Sequence, residues 1–282
     1  MTPGMEFALG AMLCFGLGDL VYKRGAAAGA QAHQFLMVQA WVFAPAVTLY
    51  ALVTGSLRFV AGSLWGAVAG IFVLVGFYNF AHSLRTGSIS INAPVFRLSF
   101  VLTAALAIAL LGEPLTIYKM AGIALALAAA WLLLGGPRAP DHPESRESLV
   151  RVLIATVAVG IGNFIYTLGL RAGATPGSLI VTQAAVVVSL ATVFVAAVDG
   201  RIRPSAAAVR YAPRAAIVLA LAFAFMVESM ARGQASVAVP IAQMGFVVTG
   251  ILGVAFLREA FTVRKAIGIA AALVALASLT HG

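Results

Sequence analysis

One arginine, Arg97, stands inside the apolar stretch GSISINAPVFRLSF, residues 87–100. At the centre of a bilayer an arginine costs about 2.5–3.5 kcal/mol on insertion scales, so it needs a partner. The positions one helical turn away are Ala93, Pro94, Phe100 and Val101, and none is acidic. The partner must come from another segment, from water or from a bound solute. One reading is a structural ion pair with Asp19 or Glu228. The other is a planar guanidinium that receives the carboxylate of a substrate.

Asp19 and Glu228 lie toward the ends of apolar runs, and each has a basic residue at i+4, Lys23 and Arg232. Interfacial ion pairs account for both; the functional alternative is a carboxylate that takes up and releases a proton in a cavity. His82 is the third candidate for proton coupling. Tyr78, His82 and Arg85 fall at i, i+4 and i+7 and share one helix face. Tyr22, Tyr166, Gln39, Gln183, Asn163 and Gln243 complete the polar set expected to line a substrate site. The tyrosine rings would stack on an aromatic or cationic solute, or else anchor helix ends at the membrane interface. Pro94 and Pro240, each inside an apolar run, remove one i→i−4 hydrogen bond and free the carbonyls of Ser90 and Ser236. They are readable as packing kinks or as hinges of a flexing cavity wall.

Other chemistries find little support. There is no HExxH and no GxSxG, Cys14 is the single cysteine, and the four histidines are scattered at 33, 82, 142 and 281. Neither a catalytic site, a metal nor a cofactor is expected, and an intramembrane enzyme is the weakest alternative. Gly16, Gly18, Gly160 and Gly162 follow no strand and suit close helix packing, not a nucleotide loop. Glu113 and Glu259 precede Lys119 and Lys265 in short turns, where local ion pairing and turn geometry explain them.

The elements that must position these residues are helices. Of 282 residues 62% are hydrophobic and 10% charged, against about 25% charged in soluble domains. Ten apolar runs can be read, at roughly 5–22, 35–54, 63–84, 88–111, 117–135, 150–170, 177–198, 212–231, 236–257 and 263–280. Their lengths match a bilayer core of about 20 helical residues, and a helix satisfies its own backbone in lipid. The class is an all-α integral membrane protein with ten transmembrane helices. The net charge of +9 lies in the loops, so it implies no nucleic-acid partner. The odd-numbered loops are the more basic, which places them in the cytoplasm and both termini outside.

The chain also repeats itself. GQASVAVPIAQMGF, residues 233–246, recurs 146 residues after the first stretch, and Pro94, Phe100, Thr103, Glu113, Thr116, Lys119 and Gly122 all meet identical residues at that shift. His82 meets Glu228, and Arg97 meets Gln243. At a shift of 144, GLGDLVYKRG (16–25) becomes GIGNFIYTLG (160–169), so Asp19 meets Asn163, Tyr22 meets Tyr166, and Gln39 meets Gln183. Residues 1–136 form a first five-helix repeat, 137–149 a polar connecting loop, and 150–282 a second repeat. An odd helix number inverts the second repeat relative to the first. Inverted repeats belong to secondary transporters, with the substrate at the repeat interface near mid-membrane. A self-contained two-half core is compatible with a functional monomer.

The motifs GSISINAPVFRLSFVLTAALAIALLGEPLTIYKMAGI and GQASVAVPIAQMGFVVTGILGVAFLREAFTVRKAIGI resemble the drug/metabolite transporter superfamily, EamA type, over nearly the whole chain. Within it the pattern looks most like the YddG-like aromatic amino-acid exporters. The second half departs from the pattern in reading LREA where the first reads LGEP. The resemblance implies a multi-pass protein of a bacterial-type inner membrane that exports small amphipathic metabolites, aromatic amino acids foremost, by alternating access. A multidrug or cationic-compound exporter of the same fold is the alternative. The partners it implies are a small-molecule substrate, the lipid bilayer and, for a coupled carrier, protons.

Overall fold

The computed structural model describes residues 4–86, 92, 95–134, 146–257 and 262–281, with the side chains of 23, 26, 84–86, 134 and 253–257 outside that description. These residues form α1 (Met5–Ala27), α2 (Ala32–Val53), α3 (Leu64–Thr86), α4 (Ser99–Leu111), α5 (Ile117–Leu134), α6 (Arg146–Arg171), α7 (Pro176–Asp199), α8 (Ala206–Arg232), α9 (Ala235–Gln243), α10 (Gly245–Leu257) and α11 (Val263–His281). Among the described residues there is no strand. Eight stretches of at least 18 residues are apolar enough to cross a membrane, with α9 and α10 sharing one of them. Two shorter apolar stretches, Val95–Leu111 and Ile117–Leu133, complete the ten spans.

Local chemistry sets the ends. Thr175 accepts the Ser178 N–H and Pro176 opens α7, while Ser205 accepts the Ala208 N–H at the start of α8. Left-handed glycines, Gly112 and Gly200, stop α4 and α7. Polar ends lengthen several helices beyond their apolar runs. The sixth begins at Arg146, not 150, with Glu147 and Arg151 paired at 3.2 Å one turn apart, and the eighth begins at Ala206, not 212.

The packing has one symmetry. Helix α1 packs on α8 and α10, and α6 packs on α3 and α4. Helix α2 faces α7, and α5 faces α11. Exchanging the halves maps these pairs onto themselves, as a twofold rotation requires. With five crossings in each half, equivalent helices run in opposite directions, so the repeats are inverted. Individual bonds obey the same rule. Thr249 Oγ1 donates to the Gly16 and Gly245 carbonyls at 3.1 and 3.2 Å; Thr103 Oγ1 donates to those of Gly160 and Ser99 at 3.0 Å each. Phe100 and Phe246, equivalent in the repeat, are both fully buried in the core. Large apolar side chains such as Leu49, Trp131, Val193 and Leu273 are exposed on the outside, where lipid covers them.

Candidate central site at the repeat axis

The fourth and ninth spans break at equivalent positions. Leu98 N donates to Val95 O at 3.0 Å and Met244 N to Ile241 O at 3.1 Å, short i→i−3 bonds that interrupt each helix. Pro240 lies four residues before Met244, and its equivalent, Pro94, lies outside the described residues. Proline alone does not make the break, because α2 and α8 run uninterrupted through Pro45 and Pro213. At the ninth span α1 also presses on the break: a Cβ on Gly245 would stand 2.8 Å from Gly16 N. Glycine at both positions lets the two backbones meet.

Arg97 and Gln243 each immediately precede a break, and they touch: Arg97 Nη1 donates to Gln243 Oε1 at 3.2 Å. Two residues exchanged by a twofold axis can be in contact only close to that axis. Arg97 Nη2 donates to Asp19 Oδ2 at 2.6 Å, forming an ion pair, and Thr249 Oγ1 donates to the same oxygen at 3.3 Å. The guanidinium carbon sits 5.9 Å from the centre of the Phe246 ring. Arg97 Nε is buried with no hydrogen-bond partner.

Asp19 stands near the end of the apolar span Met5–Tyr22, while α1 itself runs on to Ala27, and the side chain of Lys23, its i+4 neighbour, lies outside the described residues. Asp19 lies eight residues before the end of α1, about 12 Å along the axis, and its partner is Arg97. The Asp19 side chain is nonetheless 37% exposed, against 10% for Arg97. The lipid-facing stripe of α1 carries Glu6, Leu13 and Leu17, all exposed. Asp19 is two residues beyond Leu17, about 200° round the helix. Its exposed surface therefore faces the interior of the bundle, as expected for an intramembrane charge.

Tyr22 OH donates to Gln39 Oε1 and Tyr166 OH to Gln183 Oε1, the same bond in each half. Tyr166 is fully buried, so it is no interface anchor. Asn163 and Thr167, one turn apart on α6, are buried, and Asn163 Nδ2 and Thr167 Oγ1 have no hydrogen-bond partner. The Tyr78 ring is tilted against that of His82 (5.8 Å between centroids, 57° between planes) and edge-on against Phe194 of α7 (4.9 Å). The Arg85 side chain lies outside the described residues. Glu228 does sit near a helix end, paired with Arg232 at 3.2 Å and accepting from Tyr50 OH at 3.1 Å.

The sequence profile of the EamA-like transporter family matches residues 2–135 and 145–280. The chain belongs to the EamA-like transporter family. As a member it is a multi-pass membrane transporter with a small-molecule substrate. No curated relative matches. A solved structure titled only "Crystal structure of protein" is similar with a TM-score of 0.82 and 17% identity, covering 98% of each chain. That likeness bears on the fold alone.

In this EamA-like chain, Glu113 and Lys119 do more than the local pairing read from their spacing. Glu113 is buried, and its two carboxylate oxygens accept the N–H groups of Ala235 and Ser236 at 2.9 Å each. It caps the first turn of α9 in the other half, where N–H groups have no helical partner. Lys119 Nζ, fully buried, donates to Pro114 O at 2.8 Å, to Ser236 Oγ at 2.9 Å and to Gln234. The signal for this was the recurrence of the same Glu and Lys at Glu259 and Lys265. Short-range spacing hid it, because the capped backbone is 122 residues away. Glu259 lies outside the described residues.

Proposed function

We propose that the chain is a secondary transporter that moves small amphipathic metabolites, aromatic amino acids foremost, by alternating access about the Arg97–Gln243 contact. The two five-helix halves, 1–136 and 150–282, joined by 137–149, rock against one another about a polar centre. Each packing exposes that centre to one side of the membrane. What carries the reading is the contact between two repeat-related residues beside an intramembrane ion pair. A polar centre on the axis is reachable from either side by equivalent motions. Arg97 is the seat for a carboxylate, and the Tyr22–Gln39 and Tyr166–Gln183 pairs frame the space around it. The basic odd-numbered loops favour both termini outside, and the family resemblance, not the loop charge, supports export as the working direction in a bacterial-type inner membrane.

The test is counterflow in proteoliposomes. Preloading with unlabelled phenylalanine, tryptophan or leucine should accelerate entry of the labelled solute, and entry should saturate. Flux that neither saturates nor responds to preloading would mean a pore, not a carrier. Imposing a proton gradient separates coupled exchange through Asp19, Glu228 or His82 from facilitated movement. Coupled exchange concentrates the solute, whereas facilitated movement only equilibrates it.

A further inference from the structure

We propose that the carried solute is a zwitterion that inserts into the Asp19–Arg97 ion pair, with its ammonium on Asp19 and its carboxylate on Arg97. This rests on the transporter reading and assigns Asp19 a role in choosing the substrate. The pair is built incompletely for a purely structural bridge. Arginine and carboxylate commonly meet through two parallel bonds, yet here one oxygen, Asp19 Oδ2, takes one nitrogen, Nη2. Both hydrogen bonds to Asp19 from described side chains fall on Oδ2. On the other side Arg97 Nε, in a side chain nine-tenths buried, has no partner. The Nε–Nη2 edge is the one a carboxylate grips with two bonds. A donor position without a partner among the described residues thus flanks the existing bond. The carboxylate is the better exposed of the two groups and faces the bundle interior, so an ammonium meets it first.

Charge balance then selects the solute. A simple anion on Arg97 would displace Asp19 and leave that carboxylate unpaired inside the membrane. A simple cation on Asp19 would strand the guanidinium in the same way, and a stranded buried charge is strongly unfavourable. A zwitterion replaces one ion pair by two and strands nothing. The second half carries no such charges at the equivalent positions, which are the amides Asn163 and Gln243.

The experiment is competition against labelled phenylalanine counterflow by the reconstituted full chain. The competitors are unlabelled phenylalanine, 3-phenylpropionate, which lacks the amine, and phenethylamine, which lacks the carboxylate. Each singly charged analogue should compete at least about tenfold more weakly than phenylalanine, as a site of paired polar groups rejects an analogue missing one. Competition by either analogue within tenfold overturns the proposal and leaves the carrier intact. So does saturable phenethylamine counterflow without phenylalanine counterflow. Non-saturable flux of every solute overturns the transporter reading itself. In the double variant Asp19→Asn/Arg97→Gln the preference for phenylalanine over its two analogues should vanish, and its persistence would also overturn the proposal. Should that variant fail to reconstitute, the competition series on the natural chain decides alone.

Discussion

The two halves of the polar centre agree in some bonds and part in others. Tyr22–Gln39 recurs as Tyr166–Gln183, and the threonine bridges from Thr249 recur from Thr103. The Asp19–Arg97 pair does not recur, because its equivalents are Asn163 and Gln243. Bonds present twice hold helices that are present twice, and they belong to the scaffold. The charge pair is present once, in a scaffold that carries amides at the equivalent positions. Asp19 and Asn163 have the same shape, so at that position the difference is one of charge, whereas Arg97 is both charged and longer than Gln243. If the proposal above holds, the repeated bonds serve as support and the unrepeated pair handles the solute.

The sharpest way to break that division is to remove one charge. Arg97→Gln leaves Asp19 without its ion-pair partner, and we expect a loss of about 2–4 kcal/mol. That is somewhat under the range for a broken buried pair, because Asp19 keeps contact with solvent. Adding Asp19→Asn should recover most of the loss, since the double variant removes the carboxylate that the single variant leaves without its guanidinium. Unfolding in detergent followed through the complete double-mutant cycle measures this. Losses that simply add would show that the two charges act separately and would undo the comparison.

A second test concerns a bond that joins the halves. The Glu113 carboxylate bonds two backbone N–H groups of α9, and hydrogen bonds to charged groups are worth about 1.5–3 kcal/mol. Glu113→Gln keeps the shape but supplies only one good acceptor oxygen, so the midpoint of unfolding should fall by an amount in that range. Transport should slow as well, because α9 carries Gln243 to the axis. An unchanged midpoint would mean that the cap is not part of the scaffold.

How far the sequence reveals this molecule depends on the range of the interaction. The ten spans were legible because hydropathy acts over about 20 residues of contiguous chain. The repeat was legible because Pro, Glu, Lys and Thr match in register where chance alignment of Ala and Leu would not produce them. Arg97 was legible as an anomaly, but its partner stayed one of several alternatives, since nothing in the chain encodes a distance between α1 and the fourth span. For Asp19 the sequence offered two partners, Lys23 one turn along and Arg97 across the bundle, and only contact in three dimensions shows the pair with Arg97. The roles of Glu113 and Lys119 were missed because a local explanation sufficed, and the actual one crosses between halves. The breaks at Leu98 and Met244 stand four residues beyond the prolines that suggested them, the second of them at the crossing of α1 and the ninth span.

The smallest expected effect sharpens the comparison from the repeated side. Tyr166→Phe and Tyr22→Phe delete the same hydroxyl from equivalent bonds, and if those bonds are scaffold, both should cost stability while leaving solute preference alone. The costs should differ in a set order. Tyr166 and Gln183 are buried, so removing the hydroxyl strands a Gln183 oxygen away from water, at about 1–3 kcal/mol. Tyr22 and Gln39 are only partly buried, and solvent can replace the lost donor, so the cost there should stay nearer the net worth of one bond, about 0.5–1.5 kcal/mol. Unfolding in detergent ranks the two, and the ratio of phenylalanine to phenethylamine competition reports preference. A variant that shifts that ratio by more than about threefold, which is under 1 kcal/mol, would move its tyrosine from the scaffold to the solute site and redraw the division between repeated and unrepeated bonds.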